Sequence, residues 1–182
     1  MIEVYPKIFL MKGLCNNYYV DGKIKILIDA GFDFKEKVDI LILTHIHPDH
    51  VFFAKKIQER TNCKIFIGQD DENIDEFLFY CPSWKGKEIE KFKIDRVLKK
   101  NDKINIGQYD FQVLQLPGHT LGSIGLYEKK HEILFSGDTI FENGLIGRTD
   151  FIHSSEELMQ KTLKKLKKLK IKHLFSGHGI IK

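Results

Sequence analysis

The stretch that decides the fold is residues 38–50, which read VDILILTHIHPDH. The first six of these residues form an almost continuous apolar run of strand length, which predicts a strand that is buried on both faces. A loop that carries three histidines and an aspartate follows at once. Because the backbone leaves the sheet at such a strand end, we expect the side chains of this loop to reach a crevice at the sheet edge.

Three further loops follow apolar strands in the same way: PGHT at 117–120, SGDT at 136–139 and SGHG at 176–179. A single histidine after a strand is usually a hydrogen-bonded structural residue. Here five of the eight histidines lie in the four loops, and the other three are interpreted as ordinary residues. The clustering therefore favours a shared functional site over five unrelated structural roles.

The residue types in the four loops are those that bind divalent metal ions, namely imidazoles and carboxylates without thiolates. His45 and His47 are two residues apart, so they project to the same side of an extended segment, and Pro48 favours that backbone at His47. Seven candidate ligands are too many for one tetrahedral ion and suit two ions that share a carboxylate and a water. The candidates are His45, His47, Asp49, His50, His119, Asp138 and His178.

Composition limits the class of protein. The chain has 182 residues, and this length predicts one globular domain over 1–182. Its hydrophobic share of 42% excludes a disordered chain. Its net charge is +4. The charge is too small to indicate nucleic acid, and no apolar run approaches the roughly 20 residues of a membrane span. The N-terminus lacks a secretory pattern and the three cysteines suit reduced thiols. We therefore expect a cytoplasmic protein with a small-molecule substrate and no nucleic-acid or membrane partner; the oligomeric state stays open.

The pattern of apolar residues predicts an α/β fold in which helices cover sheets. A hairpin turn is expected at Asp21-Gly22. Helices are expected over 51–60, with Phe52, Phe53 and Ile57 inward, and from a cap at Ser154 or Ser155 to about Leu169, with a weaker signal over 75–80. Strands are expected over 7–11, 18–20, 25–29, 38–43, 64–67, 104–106, 111–116, 123–127, 132–135 and 173–175.

The motifs THIHPDH, PGHT, SGDT and SGHG, in this order, resemble those of the metallo-β-lactamase-fold hydrolases. NYYV at 17–20 and IDAG at 28–31 resemble the opening hairpin of that family, and GRTD at 147–150 resembles its glyoxalase II-like (hydroxyacylglutathione hydrolase-like) branch. The resemblance implies a four-layer αββα sandwich with a metal site at one edge of the two sheets.

Carried over by position, the resemblance implies a first metal on His45, His47 and His119. It implies a second on Asp49, His50 and His178, with Asp138 as the bridge between them. One departure is that Val51-Phe52-Phe53 stands where the family often has glycines. Bulk there would narrow the pocket, although packing of both phenylalanines in the core is an equally good interpretation.

The expected activity is hydrolysis by a hydroxide that bridges two divalent ions, zinc in the first place and iron or manganese as alternatives. Asp49 would orient the hydroxide and handle its proton. By resemblance to glyoxalase II, the substrate would be a thioester of the acyl-glutathione or a related acyl-thiol type. Arg148 would pair with a substrate carboxylate, or would form only a surface salt bridge. The chain ends directly after SGHG, so we expect no appended substrate domain, and the identity of the thiol carrier stays open.

Other activities fit parts of the pattern. GRTD also resembles persulfide dioxygenases, in which His45, His119 and Asp138 would bind a single iron and oxygen would be consumed. A phosphodiesterase, nuclease or lactonase is a weaker alternative. The lysine-rich helix near the C-terminus has a leucine stripe (Leu158, Leu163, Leu166 and Leu169), so its lysines are expected to form a solvated face.

Overall fold

Two β-sheets lie face to face in the computed structural model of the chain, which describes residues 1–72, 89–142 and 144–179. In the first sheet the strands follow the chain order, antiparallel from β1 to β4 and parallel from β4 to β7. Its strands are Ile2–Tyr5 (β1), Ile8–Lys12 (β2), Asn16–Asp21 (β3), Lys25–Ile28 (β4), Ile40–Leu43 (β5), Lys64–Gly68 (β6) and Arg96–Leu98 (β7).

The second sheet has five strands. Its order is β12-β11-β10-β9-β8, with a parallel pairing only between β11 and β12. Its strands are Lys103–Asn105 (β8), Asp110–Gln115 (β9), Ile124–Glu128 (β10), Ile133–Gly137 (β11) and His173–Ser176 (β12).

Two short helices, Pro48–Val51 (α1) and Ala54–Thr61 (α2), replace the single helix predicted over 51–60. The first begins earlier than predicted because Pro48 stands at its first turn, where its fixed φ is favourable and its missing N–H costs nothing. The break falls at Phe52 and Phe53, which are half-buried rather than fully inward, whereas Ile57 is buried. The bulky pair therefore lies at a helix junction next to the histidine loop.

The last helix among the described residues, Glu156–Leu166 (α3), begins after Ser155, whose Oγ accepts a hydrogen bond from the backbone N–H of Leu158. It ends before the predicted limit at Leu169. Its buried side chains are Met159, Thr162 and Leu166, while the other residues of the predicted leucine stripe are half-buried. The hydroxyl of Thr162 donates a hydrogen bond to the carbonyl of Pro117. The buried face of α3 is therefore centred on Met159 and Thr162 rather than on the predicted leucines.

The molecule has four layers. Inward side chains of both sheets form the largest apolar cluster, which includes Ile8, Val20, Phe111, Leu126 and Phe135. The outer face of the first sheet packs against α1 and α2, and that of the second against α3. This arrangement confirms the predicted αββα sandwich, in which each amphipathic element buries one apolar face.

Two strands were not predicted, namely β1 and β7, which lie at the two edges of the first sheet. Both are short and only partly buried, so their apolar signal is weak. The helix predicted over 75–80 lies outside the described residues. Among the residues that are described, no helix combines the length and apolar character needed to cross a membrane.

Candidate metal centre

The four histidine- and aspartate-bearing loops meet at one edge of the two sheets. They follow the carboxyl ends of β5, β9, β11 and β12, so the parallel and antiparallel pairings bring distant parts of the chain together. All seven predicted ligand side chains converge there. Their ligand atoms form groups within 4.8 Å of one another: His45, His47 and His119; His45, His50 and Asp138; and Asp49, His50 and His178.

Asp138 lies between the group of His45, His47 and His119 and the group of Asp49, His50 and His178. Its Oδ1 is 3.3 Å from Nε2 of His50, and its Oδ2 is 3.5 Å from Nε2 of His119. The same Oδ2 is 3.4 Å from Nε2 of His178. This carboxylate therefore faces residues of both predicted metal positions, as a bridging ligand would.

Asp49 and His178 form the more open side of the centre. Nε2 of His178 lies 3.0 Å from Oδ2 of Asp49 and 3.4 Å from Nε2 of His50. Both side chains are partly exposed, whereas that of His50 is fully buried. The group that contains Asp49 and His178 can therefore be approached from solvent, while the group of His45, His47 and His119 lies deeper.

A buried chain of hydrogen bonds centred on Asp29 orients two predicted ligands, His45 and His50. Oδ2 of Asp29 lies 2.9 Å from Nδ1 of His50, and the carboxylate also accepts from the N–H and hydroxyl of Thr44. Oγ1 of Thr44 in turn lies 3.1 Å from Nδ1 of His45. If Nδ1–H donates in both imidazoles, their Nε2 lone pairs point toward the centre, which is how metal-binding histidines are held.

His119 is oriented by the backbone. Its Nδ1 lies 2.8 Å from the carbonyl oxygen of Arg148, which again leaves Nε2 for the centre. The close packing needs glycine at two positions. A Cβ at Gly177 would overlap the carboxylate of Asp138, and one at Gly147 would overlap the carbonyl oxygen of Asp138.

The electrostatics suit cation binding. Burial, together with the neighbouring histidines, lowers the pKa of His45 well below its ordinary value and that of His47 to about 3, so both imidazoles are neutral. Burial alone would raise the pKa of Asp138, but the nearby histidines, His50 first, lower it strongly. Burial alone would also raise the pKa of Asp49, but the hydrogen bond from His178 and the nearby charges of His50 and His178 together lower it. His45 and His47 thus offer neutral nitrogen donors, and Asp49 and Asp138 offer ionised carboxylates. The pKa of His50 is raised against the effect of burial by Cys15 and the nearby carboxylates, and that of His178 is raised by its hydrogen bond to Asp49, so a bound cation would displace a proton from these two imidazoles.

Two buried polar atoms without partners also indicate that these residues can hold a metal ion. Nε2 of His119 and Oδ1 of Asp138 are buried and make no hydrogen bond to any described residue. A buried polar atom without a partner is costly, and a divalent cation would satisfy both atoms. Sites built from imidazole and carboxylate ligands can bind zinc, iron or manganese.

Asp71, which the sequence analysis missed, ties two ligand loops together. Its carboxylate accepts hydrogen bonds from the N–H of Ile46 (3.1 Å), the hydroxyl of Thr120 (2.8 Å) and the N–H of Gly122 (2.9 Å). These donors flank the ligand histidines of the β5 and β9 loops. Asp29 lies within the IDAG motif at 28–31, but the motif alone does not predict its contact with His50. Both aspartates follow an apolar strand, the same signal that revealed Asp138.

The buried carboxyl of Asp71 predicts a specific pH dependence of stability. Burial raises its pKa to about 6, although its three hydrogen-bond donors oppose the rise. An aspartate in an unfolded chain has a pKa of about 3.9, so the folded protein binds this proton more tightly. Stability is therefore lost as pH rises from about 4 to about 6, by about 3 kcal/mol relative to Asp71→Asn.

The measurement is urea unfolding of both proteins across this pH range. Asp110→Asn is the matched control, because the side chain of Asp110 on β9 is 48% exposed and contributes nothing to the buried carboxyl of Asp71. It should keep the wild-type pH dependence. Parallel stability curves for wild type and Asp71→Asn would contradict the prediction.

A cavity of about 300 Å³ opens onto the centre. Arg148 lies on its rim with a side chain that is 68% exposed, and its guanidinium forms two hydrogen bonds to the carboxylate of Asp150. The guanidinium also lies 4.7 Å from the ring centroid of Phe151. The lining residues are His47, Pro48, Asp49, His119, Asp138, Phe141, Ile146, Gly147, Arg148, Phe151 and His178.

Residues 10–178 match the family model of the metallo-beta-lactamase superfamily. Among curated proteins, the probable metallo-hydrolase YqgX of Bacillus subtilis is 29% identical over 76% of this chain and 67% of its own length. Hydroxyacylglutathione hydrolase GloC of Haemophilus influenzae is 30% identical over 98% of this chain and 90% of its own. The acyl-coenzyme A thioesterase MBLAC2 of Gallus gallus is 31% identical, over 43% of this chain and 31% of its own.

Solved structures share the fold. TTHA1623, crystallised in a di-iron-bound form, superposes with a TM-score of 0.80 at 26% identity and covers 95% of this chain and 92% of its own. ETHE1 from Myxococcus xanthus superposes with a TM-score of 0.72 at 20% identity, over 99% of this chain and 76% of its own. The first of these proteins is similar in fold and holds two metal ions.

Proposed function

Because the chain belongs to the metallo-beta-lactamase superfamily, we propose that it is a metal-dependent hydrolase that cleaves a small-molecule thioester. The observation that carries the proposal is the convergence of five imidazoles and two carboxylates beside a cavity of about 300 Å³. The position of Asp138 between His50 and His119 favours two ions, and the di-iron form of TTHA1623 supports a dinuclear centre in this fold. Zinc is the ion we propose, with iron or manganese as alternatives.

The chain supplies groups for each stage of the hydrolysis. Two divalent ions held by the seven ligands would lower the pKa of a bound water toward neutrality and polarise the substrate carbonyl. Asp49 is ionised, partly exposed and directed at the cavity, so its carboxylate can orient the attacking water and accept its proton. The Asp29 chain holds His45 and His50 in place without touching the substrate.

A thioester is favoured over other carbonyl substrates by the relatives. GloC is named a hydroxyacylglutathione hydrolase and MBLAC2 an acyl-coenzyme A thioesterase, and both names describe thioester hydrolysis. The two differ in the thiol that carries the acyl group. We therefore propose an acyl-thiol substrate and leave the carrier to experiment.

We also propose that the enzyme works in the cytoplasm. Cys15 and Cys63 are free, buried thiols, and buried free thiols are usual in a reducing compartment. Alkylation of the protein in intact cells, with and without a reductant, would test this. Thiols found oxidised in cells would contradict it.

The direct test combines metal analysis of the purified protein with three assays. Loss of thioester absorbance on S-acylglutathione and acyl-coenzyme A substrates is the expected positive result. Oxygen uptake with glutathione persulfide would instead identify an iron dioxygenase, and cleavage of a phosphodiester would identify a phosphodiesterase. Iron with oxygen consumption and no thioester hydrolysis would overturn the proposal.

Arg148 is proposed to bind an anionic group of the thiol carrier. We expect Arg148→Gln to raise KM for S-acylglutathione about fivefold and to leave KM for an uncharged thioester unchanged, since the pair forms at an exposed rim. Asp150→Asn is the matched control, because it removes the partner of Arg148 and leaves the cation. Equal KM values for wild type and Arg148→Gln would assign Arg148 to a surface salt bridge.

A further inference from the structure

The mouth of the cavity is unusually apolar on one side. Phe141, Ile146 and Phe151 line the cavity itself. Leu145 and Ile152, their neighbours in sequence, are 63% and 75% exposed, and Ile146 is 40% exposed. We call these five residues the apolar rim. Ile146 both lines the cavity and reaches solvent, and Leu145 and Ile152 each adjoin a lining residue in the chain, so apolar surface extends from beside the ligands to solvent at Ile146.

Backbone hydrogen bonds hold much of the rim in place. The N–H of Phe141 donates to the carbonyl of Leu145 at 2.9 Å, and the N–H of Gly144 donates to the carbonyl of Phe141 at 3.0 Å. Ile140 and Ile146 form an antiparallel β-bridge that closes this small hairpin. Leu145 thus stands at a hydrogen-bonded turn whose exposed position is set by the backbone.

An isolated exposed leucine or isoleucine is ordinary on a protein surface, but adjacent ones beside a binding cavity usually mark contact with an apolar ligand. The polar side chains that line the same cavity are Arg148, which pairs with Asp150, and five of the predicted ligands: His47, Asp49, His119, Asp138 and His178. A thioester has two halves, and glutathione or coenzyme A is charged. Of the two halves, only the acyl half can match an apolar surface.

From this continuity we infer that the acyl group of the substrate is an extended apolar chain that lies along the apolar rim. The inference rests on the proposed thioesterase activity. It assigns Leu145, Ile146 and Ile152 as residues that determine specificity for acyl length, and it leaves the reacting atoms to the metal centre. A short or hydroxylated acyl group would leave most of this surface exposed.

The first experiment varies only the acyl group. Acetyl, butanoyl, hexanoyl and octanoyl thioesters of one thiol are compared with the metal-loaded enzyme. We expect kcat/KM to rise by up to about fourfold for each methylene group that reaches the rim, because burial of apolar surface is the source of the gain. Repeating the series on the second thiol separates acyl preference from carrier preference.

The second experiment removes the rim without touching the ligands. The double variant Leu145→Ser/Ile152→Ser should lower kcat/KM for the octanoyl thioester about tenfold and leave that for the acetyl thioester unchanged. Ile2→Ser is the matched control, because Ile2 is also 63% exposed but lies on β1 and does not line the cavity. It should keep the full dependence on chain length.

A binding measurement gives a readout that needs no turnover. Calorimetric titration with S-methylglutathione and S-octylglutathione should show tighter binding and a more negative heat-capacity change for the octyl compound, and the double variant should lose this difference. Hydrolysis of all thioesters at equal kcat/KM would overturn the inference and leave the proposed function standing. No hydrolysis of any thioester would overturn both. Loss of self-association in the double variant, with unchanged specificity, would assign the rim to contact between two copies.

Discussion

Asp49→Asn is expected to lower kcat for thioester hydrolysis by a factor of about 10²–10⁴, the usual contribution of a group that transfers a proton in the reaction. The carboxylate of Asp49 is ionised and partly exposed to the cavity, and it lies 3.0 Å from Nε2 of His178. The amide of asparagine has nearly the same shape but cannot accept a proton from water. The fall should therefore appear in kcat even when the substrate binds normally.

Metal content must be measured on the same samples, because Asp49 is also a predicted ligand. Asp110→Asn is the matched control: Asp110 lies on β9 and its side chain is 48% exposed. This control should retain wild-type kcat and metal content. Full activity of metal-replete Asp49→Asn would show that another group carries the proton.

Asp29→Ala is expected to destabilise the protein by about 3–5 kcal/mol, the usual cost of removing one partner of a buried ion pair. The change would leave Nδ1 of the fully buried His50 and two donor groups of Thr44 without their acceptor. Alanine would also have to adopt the positive φ of 63° at this position. Urea unfolding of both proteins, prepared with the same metal content, measures the difference.

Asp29→Asn separates stability from metal binding. Asparagine tolerates the backbone conformation and keeps an acceptor for Thr44, but it presents no carboxylate to His50. We expect a smaller loss of stability and a 10- to 100-fold weaker metal affinity, as for other groups that orient a metal-binding histidine. Asp33→Ala, which removes surface pairs with Lys35 and Arg60, should cost less than about 1 kcal/mol. A comparable loss at Asp33, or unchanged metal affinity in Asp29→Asn, would contradict this role.

Prediction from the sequence succeeded where a local pattern carried the information. Apolar runs of strand length located ten of the strands, and the four loops that follow β5, β9, β11 and β12 contain every candidate ligand. Prediction was weaker where local signals were short or mixed. The edge strands β1 and β7 are short and only partly buried, and the break between α1 and α2 depends on where Phe52 and Phe53 can pack.

The sequence by itself determined which donor groups the candidate centre offers, because residue types and their places after apolar strands do not depend on the rest of the fold. Tertiary structure alone decided what supports and surrounds it. Asp29 meets His50 across 21 residues, Asp71 meets Gly122 across 51, and His178 meets His50 across 128. The apolar rim lies within residues 141–152, but only the fold places this stretch beside His47, His119 and His178 at one cavity. Such contacts are set by sheet pairing and layer packing, which bring together residues that no local pattern relates.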